Sequence, residues 1–128
     1  MASELRVNTL KDAAGNNSIA TSFVAGGSAK AWVNFNGEST LSVRDSLNIG
    51  SVTDNGTGNY TNNFSSAFAA ATYNTTVGGG GNLMYLDTSY GYTTSAKTFR
   101  SAYPSNTSGS ITVADGNDVN ASHNGDLA

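Results

Sequence analysis

Residues 49–64 read Ile49-Gly50-Ser51-Val52-Thr53-Asp54-Asn55-Gly56-Thr57-Gly58-Asn59-Tyr60-Thr61-Asn62-Asn63-Phe64. Two stretches with β-forming residues at alternating positions flank a central Asp-Asn-Gly-Thr-Gly. Asn and Gly accept the positive φ angles that tight hairpin turns demand. A second glycine, Gly58, follows Gly56 by two residues and suits a longer loop with a bulge. The segment is therefore expected to be a β-hairpin.

The same pattern continues on both sides. Upstream, Leu5 to Leu10 and Ser18 to Val24 read as extended runs, the second ended by Gly26-Gly27. Ala29 to Asn36 places Ala31, Val33 and Phe35 on one face and Lys30, Trp32, Asn34 and Asn36 on the other. Leu41, Val43, Leu47 and Ile49 share one parity. Downstream, Thr72 to Val77 runs into four glycines, Gly78 to Gly81, which mark a mobile loop or a close backbone contact. Leu83 to Leu86, Tyr90 to Thr94 and Lys97 to Tyr103 read as strands, and the single proline, Pro104, should interrupt the ladder there. Ser105 to Ser110 is a loop, Ile111 to Ala114 and Val119 to His123 are the last extended pieces, and Asp115-Gly116-Asn117 turns between them. Helical periodicity is nearly absent, since Ala67 to Ala71 is too short to stand as a helix in water. About nine or ten short strands separated by turn residues imply an all-β fold, an antiparallel β-sandwich of jelly-roll-like type. Residues 28–128 form that domain, and residues 1–27 an extended N-terminal arm for docking or oligomerisation.

Composition explains why an arm matters. Among 128 residues there are 15 Gly, 16 Asn, 17 Ser and 15 Thr, but only 23 Leu, Ile, Val and Phe. So few large apolar side chains make a thin core for a lone chain, and subunits are expected to complete one another's core. The absence of Cys removes disulfide scaffolds, thiol catalysis and zinc–thiolate sites. The six basic residues are scattered, which argues against nucleic acid. Neither an apolar run of spanning length nor a signal peptide is visible, so no membrane partner is expected. Between Asp45 and Lys97 the only charges are Asp54 and Asp87.

Two blocks carry a resemblance. Ser3-Glu4-Leu5-Arg6-Val7-Asn8-Thr9-Leu10-Lys11-Asp12, followed by Gly15-Asn16, is similar to the start of many tailed-phage virion and tail-fibre proteins. The run Gly27 to Gly37 (GSAKAWVNFNG) and then Arg44 to Tyr60 (RDSLNIGSVTDNGTGNY) resembles a recurring domain of tail-fibre-like and other virion proteins of cyanophages and marine phages. Asn62 departs from that pattern, which has an apolar residue there. The resemblance implies a bacteriophage virion structural protein, tail-fibre-like or surface-projecting, non-enzymatic, located in the phage particle. It would assemble as a homotrimer or other multimer beside tail, baseplate or capsid proteins. The alternatives are a receptor-binding module for host attachment that recognises surface glycans, or a capsid decoration protein.

The residues that would serve these roles are few. Leu5, Val7, Leu10, Ile19 and Phe23 give the arm alternating apolar contacts too sparse for a core of its own, which suits addition to a partner. Tyr85, Asp87, Tyr90 and Tyr92 form an aromatic cluster after the glycine run that suits glycan stacking, against the plainer reading of packing between β-elements. Catalysis is not expected. His123, the single histidine, reads as a surface or edge-strand residue, and no nucleophile signature accompanies it. Glu4, Glu38, Asp87, Asp115, Asp118 and Asp126 show no spacing that would pair two of them across a glycosidic bond. Asp54-Asn55-Gly56 and Asp115-Gly116-Asn117-Asp118 supply oxygen ligands of the kind calcium takes, but lack EF-hand spacing. No cofactor and no metal is expected.

Overall fold

The computed structural model describes Ser3 and residues 5–87, 89–104 and 110–128. The arm holds two short strands, β1 (Thr9–Leu10) and β2 (Ile19–Ala20), paired antiparallel, and a helix α1 (Thr21–Gly27). Among the described residues nine strands follow: β3 (Ala29–Asn36), β4 (Ser42–Leu47), β5 (Ile49–Asp54), β6 (Asn59–Phe64), β7 (Asn74–Gly79), β8 (Leu83–Tyr85), β9 (Ala96–Pro104), β10 (Ile111–Val113) and β11 (Val119–Asn124). They form two antiparallel sheets, one ordered β4-β3-β11-β7 and the other β10-β9-β6-β5. Strand β8 lies along the opposite edge of β9, facing Arg100 to Ala102. The fold is the all-β sandwich that the alternating pattern implied.

The core follows from that alternation. Val33 and Phe35 of β3 and Val119 and Ala121 of β11 point inward from one sheet, and Tyr60 of β6 and Phe99 of β9 from the other. Phe35 meets Tyr60 edge-on at 5.0 Å between ring centroids, and Phe99 lies within 6.4 Å of both. Edge-to-face pairs add stabilisation beyond the area they bury, which matters where aliphatic residues are scarce. A second cluster is built on Ala31, Phe68 and Tyr73, with Phe68 and Tyr73 stacked at 4.2 Å. Ile49 touches both clusters.

The hairpin of residues 49–64 forms as its sequence dictates. Asp54 pairs with Tyr60 across β5 and β6. Between them Gly56 and Gly58 take φ of 112° and 58°. The Asp54 carboxylate accepts the Gly56 N–H at 2.9 Å. A side chain at Gly58 would be impossible for a second reason, because its Cβ would stand 2.4 Å from the Ser101 carbonyl oxygen.

Several expectations are corrected. Ser18 to Val24 is not one extended run: it bends at Thr21, whose N–H and hydroxyl bond back to the Asn8 carbonyl, and continues as α1. The arm is thus a ladder and a helix rather than wholly extended. Tyr90 to Thr94 is not a strand and contributes only a bridge from Tyr92 to Lys97. The shared parity of Leu41 to Ile49 breaks, because a register shift opposite Asn34/Phe35 and a positive φ at Asn48 redirect the chain. Leu41 and Ile49 pack on the core while Val43 and Leu47 stay exposed. Asn48 carries the chain from one sheet to the other, its amide clasping the Ser66 backbone at 2.7 and 3.1 Å. His123 lies neither on the surface nor on an edge: it is fully buried on β11, between β3 and β7. The glycine run is a close contact, since a Cβ on Gly79 would meet the Asp118 carbonyl oxygen at 2.5 Å. Most of the Ser105 to Ser110 loop lies outside the described residues.

Candidate functional site

Among the described residues, three groups of side chains bring polar or aromatic chemistry together. The first is the aromatic cluster after the glycine run. Strand β8 places Tyr85 opposite Arg100 of β9. Arg100 donates to the Tyr90 hydroxyl at 2.8 Å, and its Nε stands 3.0 Å from an Asp87 carboxylate oxygen. The Asn59 amide donates to the same hydroxyl at 3.1 Å. The Ser89 N–H bound to Asp87, with Arg100 nearby, holds that carboxyl below its ordinary range. Tyr92 leans edge-on against Tyr73 at 5.0 Å, and the Lys97 ammonium lies 3.9 Å from the Tyr92 ring centroid. The structure therefore brings Tyr85, Asp87 and Tyr90 together around Arg100 and places Tyr92 over Lys97. The Tyr90 hydroxyl is thus engaged by Arg100 and Asn59, while Tyr92 stays 36 % exposed.

The second group is buried and polar. Strands β6, β7 and β11 direct Asn62, Thr75 and His123 into the sandwich. Nε2 of His123 is 3.2 Å from the Asn62 amide nitrogen, and Nδ1 is 3.0 Å from the Thr75 hydroxyl. With Asn62 donating to Nε2, the neutral ring keeps its proton on Nδ1 and donates it to Thr75. Burial, and then the Lys97 charge, push the His123 pKa down to about 4. Lys97 is itself 1 % exposed, donates to the Tyr90 carbonyl at 2.9 Å, and has its pKa lowered by burial. The ring thus stays neutral at neutral pH and has no exposed surface, an arrangement that serves the core. The departure at Asn62 was the one sequence signal of a polar partner inside.

The third group lies on the outer face of the β4-β3-β11-β7 sheet. Register places Leu47, Trp32, Ser122 and Thr76 in one row across the four strands, and Asp45, Asn34, Asn120 and Gly78 in the next. Between Trp32 and Gly78 lies a shallow depression of about 360 Å³. Beside it the Asn34 amide donates to Asn120 at 2.6 Å and to Asp118 at 2.7 Å, and Arg44 bridges Asn34 and Asp118 at 3.2 Å. The sequence had placed Trp32 on the polar face of β3, but gave no sign that Gly78 would lie two strands away.

Asp115 and Asp118 serve local structure. Asp115 accepts the Gly58 N–H at 2.6 Å and the Tyr60 hydroxyl at 3.0 Å, and Asp118 pairs with Arg44. Glu4 lies outside the described residues. Among the described residues, no three His, Asp or Glu side chains gather where they would hold a metal ion.

The arm residues stand apart from all of these. Leu5 is 80 % exposed and Phe23 73 %, and Leu10 and Ile19 are exposed as well. Of the described arm residues only Ala20 and Thr21 are even half-buried. Asn124 reaches the end of the arm by donating to the Gly27 carbonyl at 2.9 Å. Compared with protein-family models, with curated proteins and with solved structures, the chain matches none.

Proposed function

We propose that this chain is a non-enzymatic structural component of a bacteriophage particle, tail-fibre-like, in which the N-terminal arm joins copies of the chain into a multimer. The single observation that supports an assembly role is the exposure of Leu5, Leu10, Ile19 and Phe23 on the arm. Leu10 and Ile19 face each other across the β1–β2 ladder, and exposed apolar surface gathered on one segment is what interaction sites present. The chain has few large apolar residues, and several stand on the arm, outside the sandwich core. A second copy is the occupant that would cover them, because closed symmetric assembly gives every arm the same neighbour. The virion setting rests on the resemblance of residues 3–64 to tail-fibre-like proteins.

The test is deletion of residues 2–24. Light scattering on the full chain should give a multiple of the 13.1 kDa monomer mass, with a trimer the expected state. The deleted chain should be monomeric with its sandwich intact, and should be lost from assembled particles. A monomeric full chain, or unchanged particle occupancy after the deletion, overturns the proposal.

A further inference from the structure

The depression beside Trp32 has a composition that selects its ligand. The Trp32 indole, half-buried on β3, forms one side. Gly78 on β7 has no side chain, so the sheet backbone is left open as a floor. Thr76, Ser122 and Asn120 bring two hydroxyls and an amide to the same hollow. Among the described residues, the Thr76 and Ser122 side chains make no hydrogen bond to the protein. No ionisable side chain lines the hollow; Arg44 and Asp118 beside it pair with each other at 3.2 Å, and Lys30, two residues from Trp32 on the same face of β3, turns its ammonium to the Ser28 carbonyl and hydroxyl. The Asn34–Asp118–Arg44 network also holds Asn120 in place, since Asn120 accepts from Asn34 and donates to Asp118 at 3.3 Å.

We infer that this face binds a neutral carbohydrate, with one pyranose ring laid on the Trp32 indole and its hydroxyls reaching Thr76, Ser122 and Asn120. A sugar ring presents an apolar C–H face and a rim of hydroxyls, and an indole beside uncharged donors and acceptors matches both. An anionic glycan or a charged peptide would find no opposing charge in the hollow and would lose hydration on entering it. The volume falls at the lower end of small-ligand sites, enough for one or two sugar units of a longer chain lying along the sheet. Pre-set amides such as Asn120 reduce the ordering cost of binding. The site stands independently of the assembly role proposed above.

Trp32 is the only tryptophan in the chain, so its emission reports on the hollow directly. The full chain is titrated with neutral gluco-, manno-, galacto- and xylo-oligosaccharides while Trp32 fluorescence is followed. A saturable shift with at least one series is expected. A Cβ at Gly78 would meet nothing within 4 Å, so Gly78→Val fills the floor while leaving Trp32 and the fold in place. That variant should keep the near-ultraviolet circular dichroism and melting temperature and bind about ten-fold or more weaker by calorimetry. Trp32→Ala should lose binding as well. Failure of every oligosaccharide to move the emission into the millimolar range overturns the inference, as does undiminished affinity in a folded Gly78→Val. An emission shift that follows protein concentration alone, with a matching rise in mass, also overturns it and gives the hollow to a second copy of the chain.

Discussion

Nε2 of His123 lies 3.2 Å from the Asn62 amide nitrogen, and both side chains have no exposed surface. A buried polar pair of this kind, with Thr75 on the other ring nitrogen, makes the centre of the sandwich dependent on a neutral imidazole. Stability should therefore respond to acid before the bulk of the carboxylates titrate.

The sign follows from the folded pKa of about 4 against 6.5 for an unperturbed histidine. Between those values the unfolded chain binds the proton and the folded chain does not, so stability is full above pH 6.5 and is lost as pH falls toward 4. The gap corresponds to about 3 kcal/mol at most. Chemical denaturation from pH 7 to pH 4 should show that loss, and a folded His123→Gln should lack most of it. Nuclear magnetic resonance titration of Lys97→Met should place the His123 pKa higher than in the parent, because the second depressing influence is gone.

Asn62→Asp exchanges the neutral partner for a carboxylate. The carboxylate favours the imidazolium, so the His123 pKa should rise and the acid sensitivity of the parent should diminish. At neutral pH the same variant should be less stable than the parent by several kcal/mol, since a buried charge must be accommodated. Parallel denaturation curves at pH 5 and pH 8 measure both effects.

Gly37 ends the GSAKAWVNFNG run, and a Cβ there would stand 2.2 Å from the Tyr60 hydroxyl oxygen. That hydroxyl donates to Asp115 and receives the Gly116 N–H at 3.4 Å, so it is not free to withdraw. Gly37→Ala should destabilise by about 1–3 kcal/mol through overpacking. Tyr60→Phe should cost a similar amount, about 1–3 kcal/mol, by leaving a buried partner unsatisfied. Because the two residues share one contact, Gly37→Ala in the Tyr60→Phe background should cost less than it does alone. A double-mutant cycle by urea denaturation reads this directly.

Leu5→Ser with Phe23→Ser leaves the sandwich untouched, because both side chains are largely exposed. The melting temperature of the monomeric domain should be unchanged. The mass by light scattering should fall toward the monomer if the arm joins copies of the chain.

How much of this was legible beforehand differs from element to element. The hairpin at residues 49–64 was readable because its turn chemistry is local: Asn55, Gly56 and Gly58 constrain the backbone whatever surrounds them. The inward face of β3 was readable too, since Ala31, Val33 and Phe35 alternate with polar residues. His123 was misread because β11 alternates Val119, Ala121 and His123 with Asn120, Ser122 and Asn124, and only the burial of the strand between β3 and β7 makes the histidine internal. The helix at Thr21–Gly27 was missed because it begins where Thr21 bonds to Asn8, a contact across the β1–β2 ladder rather than a local propensity.

By itself, then, the order of residues determined the β character of the chain, its turns, and which side chains share a strand face. Those properties follow from a period of two and from the few residues that tolerate positive φ, both set within a handful of neighbours. The tertiary structure alone decided which face went inside, how Lys97 and Asn62 came to be buried, and that Gly78 would open a floor two strands from Trp32. Strand order and register across a sheet are set by packing between segments far apart in sequence, and a two-residue period carries no record of the partner it will meet.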